Sequence, residues 1–193
     1  MSLKKKVYSV LAVSATESFN TALLALLPES TYSPIRFVSD ISTAKRAAAE
    51  RNYDHVIINS PLPDDSGLRF AIDTAGSKGT VVLLLVRAEL HTEINERATE
   101  HGVFTLPKPI SKPTMTMALS WMASARERLR QFEQKTVSIE EKMEEIRLVN
   151  RAKWQLIEKL KMDEPTAHRY IEKQAMDRCV SKRIIAEEIL NSH

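Results

Sequence analysis

The sequence predicts an α/β fold: a five-stranded doubly wound parallel sheet, then a long coiled-coil helix, then a small three-helix module. Three observations carry this prediction. Short apolar runs alternate with helical patterns from Lys4 to about Ser120. A stretch without Gly or Pro then follows Pro113 as far as about Leu160 and carries a heptad pattern. Beyond it, Asp163-Glu164-Pro165 reads as a helix stop and restart. The corresponding organisation is a first domain over 1–120, a dimerisation linker over 121–150 and an end module over 151–193.

The five strand candidates are Val7–Val13, Ile35–Val38, Val56–Ile58, Val81–Val86 and Val103–Leu106. The fourth, VVLLLV, contains no polar residue. Continuous apolar runs of this length fit strands covered on both faces, as in a parallel sheet. Helical segments separate them, near Glu17–Leu27, Ser42–Arg51, Ser66–Ala75 and Ala88–His101. Each is long enough to cross back over the sheet. The opening Met1-Ser2-Leu3 carries no structural weight in this reading.

Composition narrows the class further. The chain is 43% hydrophobic and 27% charged over 193 residues, an ordinary globular mixture. Four glycines are too few for a turn-rich all-β protein. Cys179 is the only cysteine, so an internal disulfide is impossible and no cysteine zinc site is expected. No apolar run reaches membrane-spanning length, and a cytoplasmic location is the expectation. The five histidines have no paired metal-ligand spacing, and no Gly-rich phosphate loop or nucleophile–base pattern occurs. Neither an enzyme, a metal site nor a cofactor is expected.

Pro113 suits the first turn of a helix. From Met122 a three-four-three-four spacing runs through Ala125, Leu129, Phe132, Thr136, Ile139, Met143, Ile146 and Asn150 to Lys153. This is a heptad seam. Its candidate dimerisation residues are Met122, Leu129, Phe132, Ile139, Met143, Ile146 and Asn150, with polar Asn150 available to fix register. A helix of about 49 residues would be about 73 Å long. Ser138 with Glu141 could cap a second helix and mark a break. Against a break, the heptad phase continues through Thr136 without a stutter.

The end module should be built from the close of the long helix, a helix to about Asp177 and a third capped by Ser181. Leu156, Leu160, Ala167, Ile171, Ala175, Ile185 and Ile189 form the expected core, and Met176 is expected to pack. Between Arg147 and Arg183 there are ten Lys/Arg and five Asp/Glu, a net +5, against about +1 for residues 1–120. Cations gathered in this way suit phosphate binding. Trp154, His168 and Tyr170 lie among them, and exposed aromatics stack on unpaired bases. Trp154 and Tyr170 fit a core position equally well, and each cation fits a plain solvated face.

The first domain resembles a bacterial response-regulator receiver. The segment Asp54-His55-Val56-Ile57-Ile58-Asn59-Ser60-Pro61-Leu62-Pro63-Asp64-Asp65-Ser66-Gly67 matches that family's third strand and following loop, with Pro63 and Gly67 in place. Thr105-Leu106-Pro107-Lys108-Pro109 resembles the family's Lys-Pro ending of the fifth strand. The resemblance implies a flavodoxin-like fold over about residues 5–120. It also marks what has changed. Asn59 stands where the family carries its phosphoacceptor aspartate, and an amide cannot form an acyl phosphate. Ser14 and Ala15 stand at the paired acidic positions that would hold Mg²⁺ through hard oxygen ligands. Val86 replaces the hydroxyl residue after the fourth strand. Lys108 is retained. The resemblance therefore implies a pseudo-receiver without a phosphoacceptor, in which Lys108 donates to the Asn59 side-chain carbonyl. Glu17, Asp64 and Asp65 are the acids that a rescued site would have to recruit.

The end of the chain resembles an ANTAR domain, a three-helix output module that binds RNA and prevents transcription termination. Ala152, Ala167, Tyr170, Ala175-Met176-Asp177-Arg178, Lys182 and Ala186 carry the resemblance over about residues 145–190. The family's usual glycine at the first helix–helix turn is absent, and Lys161-Met162-Asp163 stands there. The resemblance implies a dimeric antiterminator acting on leader-mRNA stem-loops. Lys153, Arg169, Tyr170, Lys173, Arg178, Lys182 and Arg183 are its candidate RNA-binding residues. Without a phosphoacceptor, the trigger would be a partner protein, a small ligand or expression level. The competing reading is an interaction protein whose first domain docks a sensor or regulatory partner and whose tail only dimerises. A DNA-binding output domain fits the tail's pattern less well.

Overall fold

A computed structural model describes residues 6–77 and 79–192. The opening Met1-Ser2-Leu3 lies outside the described residues. The elements run β1 (Tyr8–Val13), α1 (Glu17–Leu24), β2 (Tyr32–Val38), α2 (Ile41–Glu50), β3 (His55–Asn59), α3 (Leu68–Ala75), β4 (Val81–Arg87), α4 (His91–Thr99), β5 (Phe104–Lys108), α5 (Lys112–Leu160), α6 (Glu164–Asp177) and α7 (Lys182–Asn191). The strands form one parallel sheet in the order β2-β1-β3-β4-β5. This is the five-stranded, doubly wound sheet the alternating pattern predicts.

The alternation of side chains along each strand divides the apolar residues between two faces. Leu11, Val13, Val56, Ile58, Val82, Leu84 and Val86 pack beneath α2, α3 and α4. Val10, Ala12, Ile57, Val81, Leu83 and Leu85 pack against α1 and the start of α5. β1, β3 and β4 are therefore buried almost throughout, whereas the edge strands β2 and β5 keep exposed positions. Gly67 joins the β3 loop to α3 at φ +80, and a Cβ there would lie 2.8 Å from Ile58 Cγ2. Only glycine meets both demands.

The chain divides into two compact units, Met1–Gln131 and Phe132–His193. The division falls within α5. Met115, Ala118, Leu119 and Met122 of this helix belong to the core of the first unit. Farther along, Arg126 Nε and Arg130 Nη2 both reach Asp54 Oδ1, at 2.8 and 2.9 Å. These contacts bind the first turns of α5 to the sheet and carry the first unit past Ser120.

The second unit is the three-helix module. Val149, Ala152 and Leu156 of α5 meet Ala167, Ile171 and Ala175 of α6 and Ile185 and Ala186 of α7. Ala152, Ala167 and Ala186 are fully buried, so small side chains stand where the helices come closest. Two expected core residues differ. Leu160 is exposed, because it ends α5 where the chain reverses. Met176 is 77% exposed, because it lies on the outward face of α6 rather than in line with Ile171 and Ala175. Asp163 caps α6 by accepting from Thr166 N at 2.9 Å, and Ser181 caps α7 through Ile184 N at 3.4 Å.

α5 is one helix of 49 residues, continuous through Thr136–Ser138. Ser138 and Glu141 therefore mark no break. No helix among the described residues is long and apolar enough to cross a membrane.

Candidate nucleic-acid interface

Helical periodicity brings Arg169, Tyr170, Lys173 and Met176 to one outward face of α6, opposite its buried Ala167, Ile171 and Ala175. Tyr170 is 40% exposed. Among the described residues neither Arg169 nor Lys173 forms an ion pair with a carboxylate, so both cations face solvent. On α5, Arg147, Arg151 and Trp154 follow a four-three spacing along a second exposed stripe of the same module. Trp154 is 70% exposed, which removes the core alternative for this residue. Arg147, Arg151 and Trp154 were legible as charge and aromatic content, but only the buried pattern of α5 shows that they share a face.

The other candidate cations have carboxylate partners within the module. Lys153 Nζ lies 3.1 Å from Glu164 Oε1. Arg178 makes a two-pronged pair with Glu188. Lys182 Nζ donates to Glu172 Oε1 at 2.5 Å, and Arg183 Nε to Glu187 Oε1 at 2.8 Å. These partners lower the Glu172 and Glu188 carboxyls below the ordinary range through hydrogen bonding and charge. Lys182 and Arg183 open α7, where the helix dipole disfavours cations. Acids on α6 and on the next turn of α7 offset that mismatch.

The missing glycine at the α5–α6 turn is accommodated without losing the turn. Lys161 takes the left-handed backbone conformation itself, at φ 55. Cys179, at φ 50, does the same after α6. Both are exposed.

In the first unit the residues expected around a phosphoacceptor are brought together at the C-terminal ends of the strands. Asn59 and Ser14 are buried. Asn59 Nδ2 donates to Ser14 Oγ at 3.1 Å, and Lys108 Nζ donates to Asn59 Oδ1 at 2.9 Å and to the Ser60 carbonyl. Burial, with the charge of Arg87, lowers the Lys108 ammonium. Ser14 Oγ also accepts from Thr16 N at 3.1 Å. Val86 is packed in the core beneath α2, α3 and α4, and Ala15 is exposed. Asp64 accepts from Ile41 N and Ser42 N, each at 3.0 Å, and so closes the start of α2. Asp65 Oδ1 accepts from Gly67 N at 2.6 Å. The nearby acids are thus engaged in loop geometry.

Comparison with known proteins agrees with both halves. The family model for the ANTAR domain matches residues 138–190. The transcriptional regulatory protein PdtaR of Mycobacterium tuberculosis is 29% identical over 171 residues, covering 88% of this chain and 83% of that protein. The first unit is similar to a signal receiver domain of an HD domain-containing protein from Pseudomonas fluorescens Pf-5. The TM-score is 0.57 at 21% identity, over 68% of this chain and 96% of that one. It is similar also to the chemotaxis response regulator CheY4 of Vibrio cholerae. There the TM-score is 0.53 at 21% identity, over 61% of this chain and 99% of that one.

Residues 138–190 match an ANTAR domain, and the unit before them has a receiver-like fold.

In the ANTAR module the matched residues have distinct physical roles. Ala152, Ala167 and Ala186 allow the helices to approach, and Ala175 completes that core. Arg169, Tyr170, Lys173 and Met176 are displayed to solvent. Along the stretch of α5 leading into the module, Ile139 is 58% and Ile146 60% exposed, with Met143 between them on the same line. Leu129 and Phe132 precede them in phase, and Asn150 is exposed beyond them. Met122 differs: it is 1% exposed and contributes to the core of the receiver-like unit.

Proposed function

We propose that the protein is an RNA-binding transcription antiterminator, acting as a dimer on leader-mRNA stem-loops without phosphorylation of its receiver-like domain. One observation carries the reading: the ANTAR module presents Arg169, Tyr170 and Lys173 together on the outer face of α6, two cations flanking an aromatic ring. Guanidinium and ammonium groups bind phosphate, and an exposed ring stacks on an unpaired base. Lys153, Arg178, Lys182 and Arg183 supply further positive charge, each exchanging an acidic partner for phosphate when RNA binds. Similarity to a transcriptional regulatory protein over most of the chain supports the regulatory role.

Dimerisation is supported by Ile139, Met143 and Ile146, a stripe of large apolar side chains exposed at heptad spacing. Phosphorylation independence is supported by Asn59 and by the Ser14–Asn59–Lys108 hydrogen bonds across the position of the missing phosphoacceptor.

The test begins with RNA that co-purifies with the protein from its own cells, reduced to a two-hairpin fragment. Replacing Arg169 and Lys173 together by Ala should weaken binding at least tenfold at physiological salt. The salt slope should fall by about 0.7–0.9 for each lost phosphate contact. Both residues are exposed, so the melting temperature should not change. Wild-type affinity in the double variant would remove this face from the RNA site.

A further inference from the structure

A cavity of about 330 Å³ opens between α1 and the first turn of α5. Its walls are apolar, formed chiefly by Phe19, Leu23, Leu26 and Met115. Its charged lining residues are Lys108 and Lys112, and no carboxylate lines it. Ser111, also at the rim, is engaged with Thr114, whose hydroxyl lies 2.7 Å from Ser111 Oγ and whose amide donates to it at 3.2 Å. Lys108 turns its ammonium toward Asn59 and Ser60, leaving the cation of Lys112 exposed at the mouth. The volume lies at the small end of the range for small-molecule sites, and an apolar interior with one or two polar anchors is their usual chemistry.

We propose that this cavity binds a small apolar carboxylate of about the size of octanoate. The hydrocarbon lies against Phe19, Leu23, Leu26 and Met115, and Lys112 meets the carboxylate. The cation of Lys112 and the absence of an acid among the described lining residues select an anion over a neutral or cationic amphiphile. An occupant would join α1 to the loop from Lys108 to Ser111 and to the start of α5. Binding therefore stabilises the receiver-like unit by mass action. The proposal is independent of the RNA reading and stands or falls without it.

The test is calorimetric titration of the full chain with octanoate and, separately, with 1-octanol. Octanoate should bind saturably with one site per chain, at least threefold more tightly than octanol, and should raise the unfolding midpoint of the first unit. Lys112→Gln should weaken octanoate about three- to fivefold and leave octanol unchanged, the scale of one partly solvated ion pair. Ala22→Phe, an exposed position on α1 that lines the cavity, should fill it and abolish both. Circular dichroism checks that both variants are folded. No saturable octanoate binding, binding that survives Ala22→Phe, or an unchanged octanoate preference in Lys112→Gln would each overturn the proposal.

Discussion

Asn59 is a buried amide at the end of β3. Its carbonyl oxygen accepts from Lys108 and its amide donates to Ser14, so both ends of the side chain are satisfied away from water. An aspartate here could still pair with Lys108, but Ser14 and Ala15 offer no carboxylate to a divalent cation. Asn59→Asp should therefore fold normally and still take up no phosphoryl group from acetyl phosphate and Mg²⁺, read by intact mass. A phosphoryl adduct on that variant would show that the amide alone had disabled the site. His55 is the second informative residue. It is fully buried and stacks on Tyr8 with ring centroids 4.9 Å apart. Burial lowers its pKa to about 4, opposed by the charge of Asp54 and by the Met122 backbone and reinforced by Arg126 and Arg130. Burial raises the Asp54 carboxyl, but hydrogen bonds from Ser9 and Arg126 and the charge of Arg130 bring it to about 2. The folded chain thus keeps His55 neutral while the unfolded chain protonates near the ordinary 6.5. Between those values the unfolded state binds more protons, so stability falls as pH falls, by about 2 kcal/mol from pH 7 to 5. Asp54 loses its contribution only below its unfolded value of 3.8, outside that window. His55→Phe keeps a ring against Tyr8 and should remove this acid sensitivity. The measurement is urea unfolding at both pH values, followed by Trp121 fluorescence in a Trp154→Phe background. An unchanged pH slope would place the sensitivity elsewhere.

Among the elements, the α5–α6 turn is made without a glycine. Lys161 occupies a left-handed conformation that costs a non-glycine residue roughly 1–2 kcal/mol. Asp163 follows two residues later and restarts the chain as a capped helix. Lys161→Gly should therefore raise the stability of the ANTAR module by about 1 kcal/mol, seen as a higher melting temperature in Trp154 fluorescence. A lower melting temperature would mean that the Lys161 side chain itself supports the turn. The long helix has a different logic. Its first turns bury Met115, Leu119 and Met122 against the sheet, and its last turns bury Val149, Ala152 and Leu156 in the module. Between them Ile139, Met143 and Ile146 remain exposed in one chain. Heptad spacing made this stripe legible; Met122 was assigned to it because spacing alone cannot distinguish an apolar residue facing a sheet from one facing a second helix.

For the whole molecule, dimerisation and RNA binding are joined in one prediction. Replacing Ile139 and Ile146 together by Glu would place unpaired charge in the seam, which is costly to bury. The variant should be monomeric in light scattering, while each ANTAR module keeps its own core. A monomer should bind a single hairpin as wild type does. It should lose the gain that two linked modules obtain on two hairpins, an effect of effective concentration that reaches 10²–10⁴-fold in general. A variant that remains dimeric would place the interface elsewhere. A monomer that retains full two-hairpin affinity would show that the second module adds nothing.

Much of this architecture follows from pattern alone. Apolar runs separated by helical segments determine a parallel sheet, because only strands covered on both faces can be apolar at every position. The heptad spacing left a break at Ser138 and Glu141 open, which the structure closes into one helix, whereas Asp163-Glu164-Pro165 and Ser181 determine where the last two helices begin. Ser14, Ala15, Asn59 and Val86 were likewise visible as residue types. Tertiary structure alone decided which side chains face inward and which partners they meet. It buried His55, exposed Trp154 and Met176, and paired Lys182 of α7 with Glu172 of α6. It also enclosed an apolar cavity beneath Lys112 from residues almost ninety positions apart. Periodicity acts over a few neighbours along the chain, whereas burial, ion pairing and cavities depend on groups that only the packing of distant elements brings together.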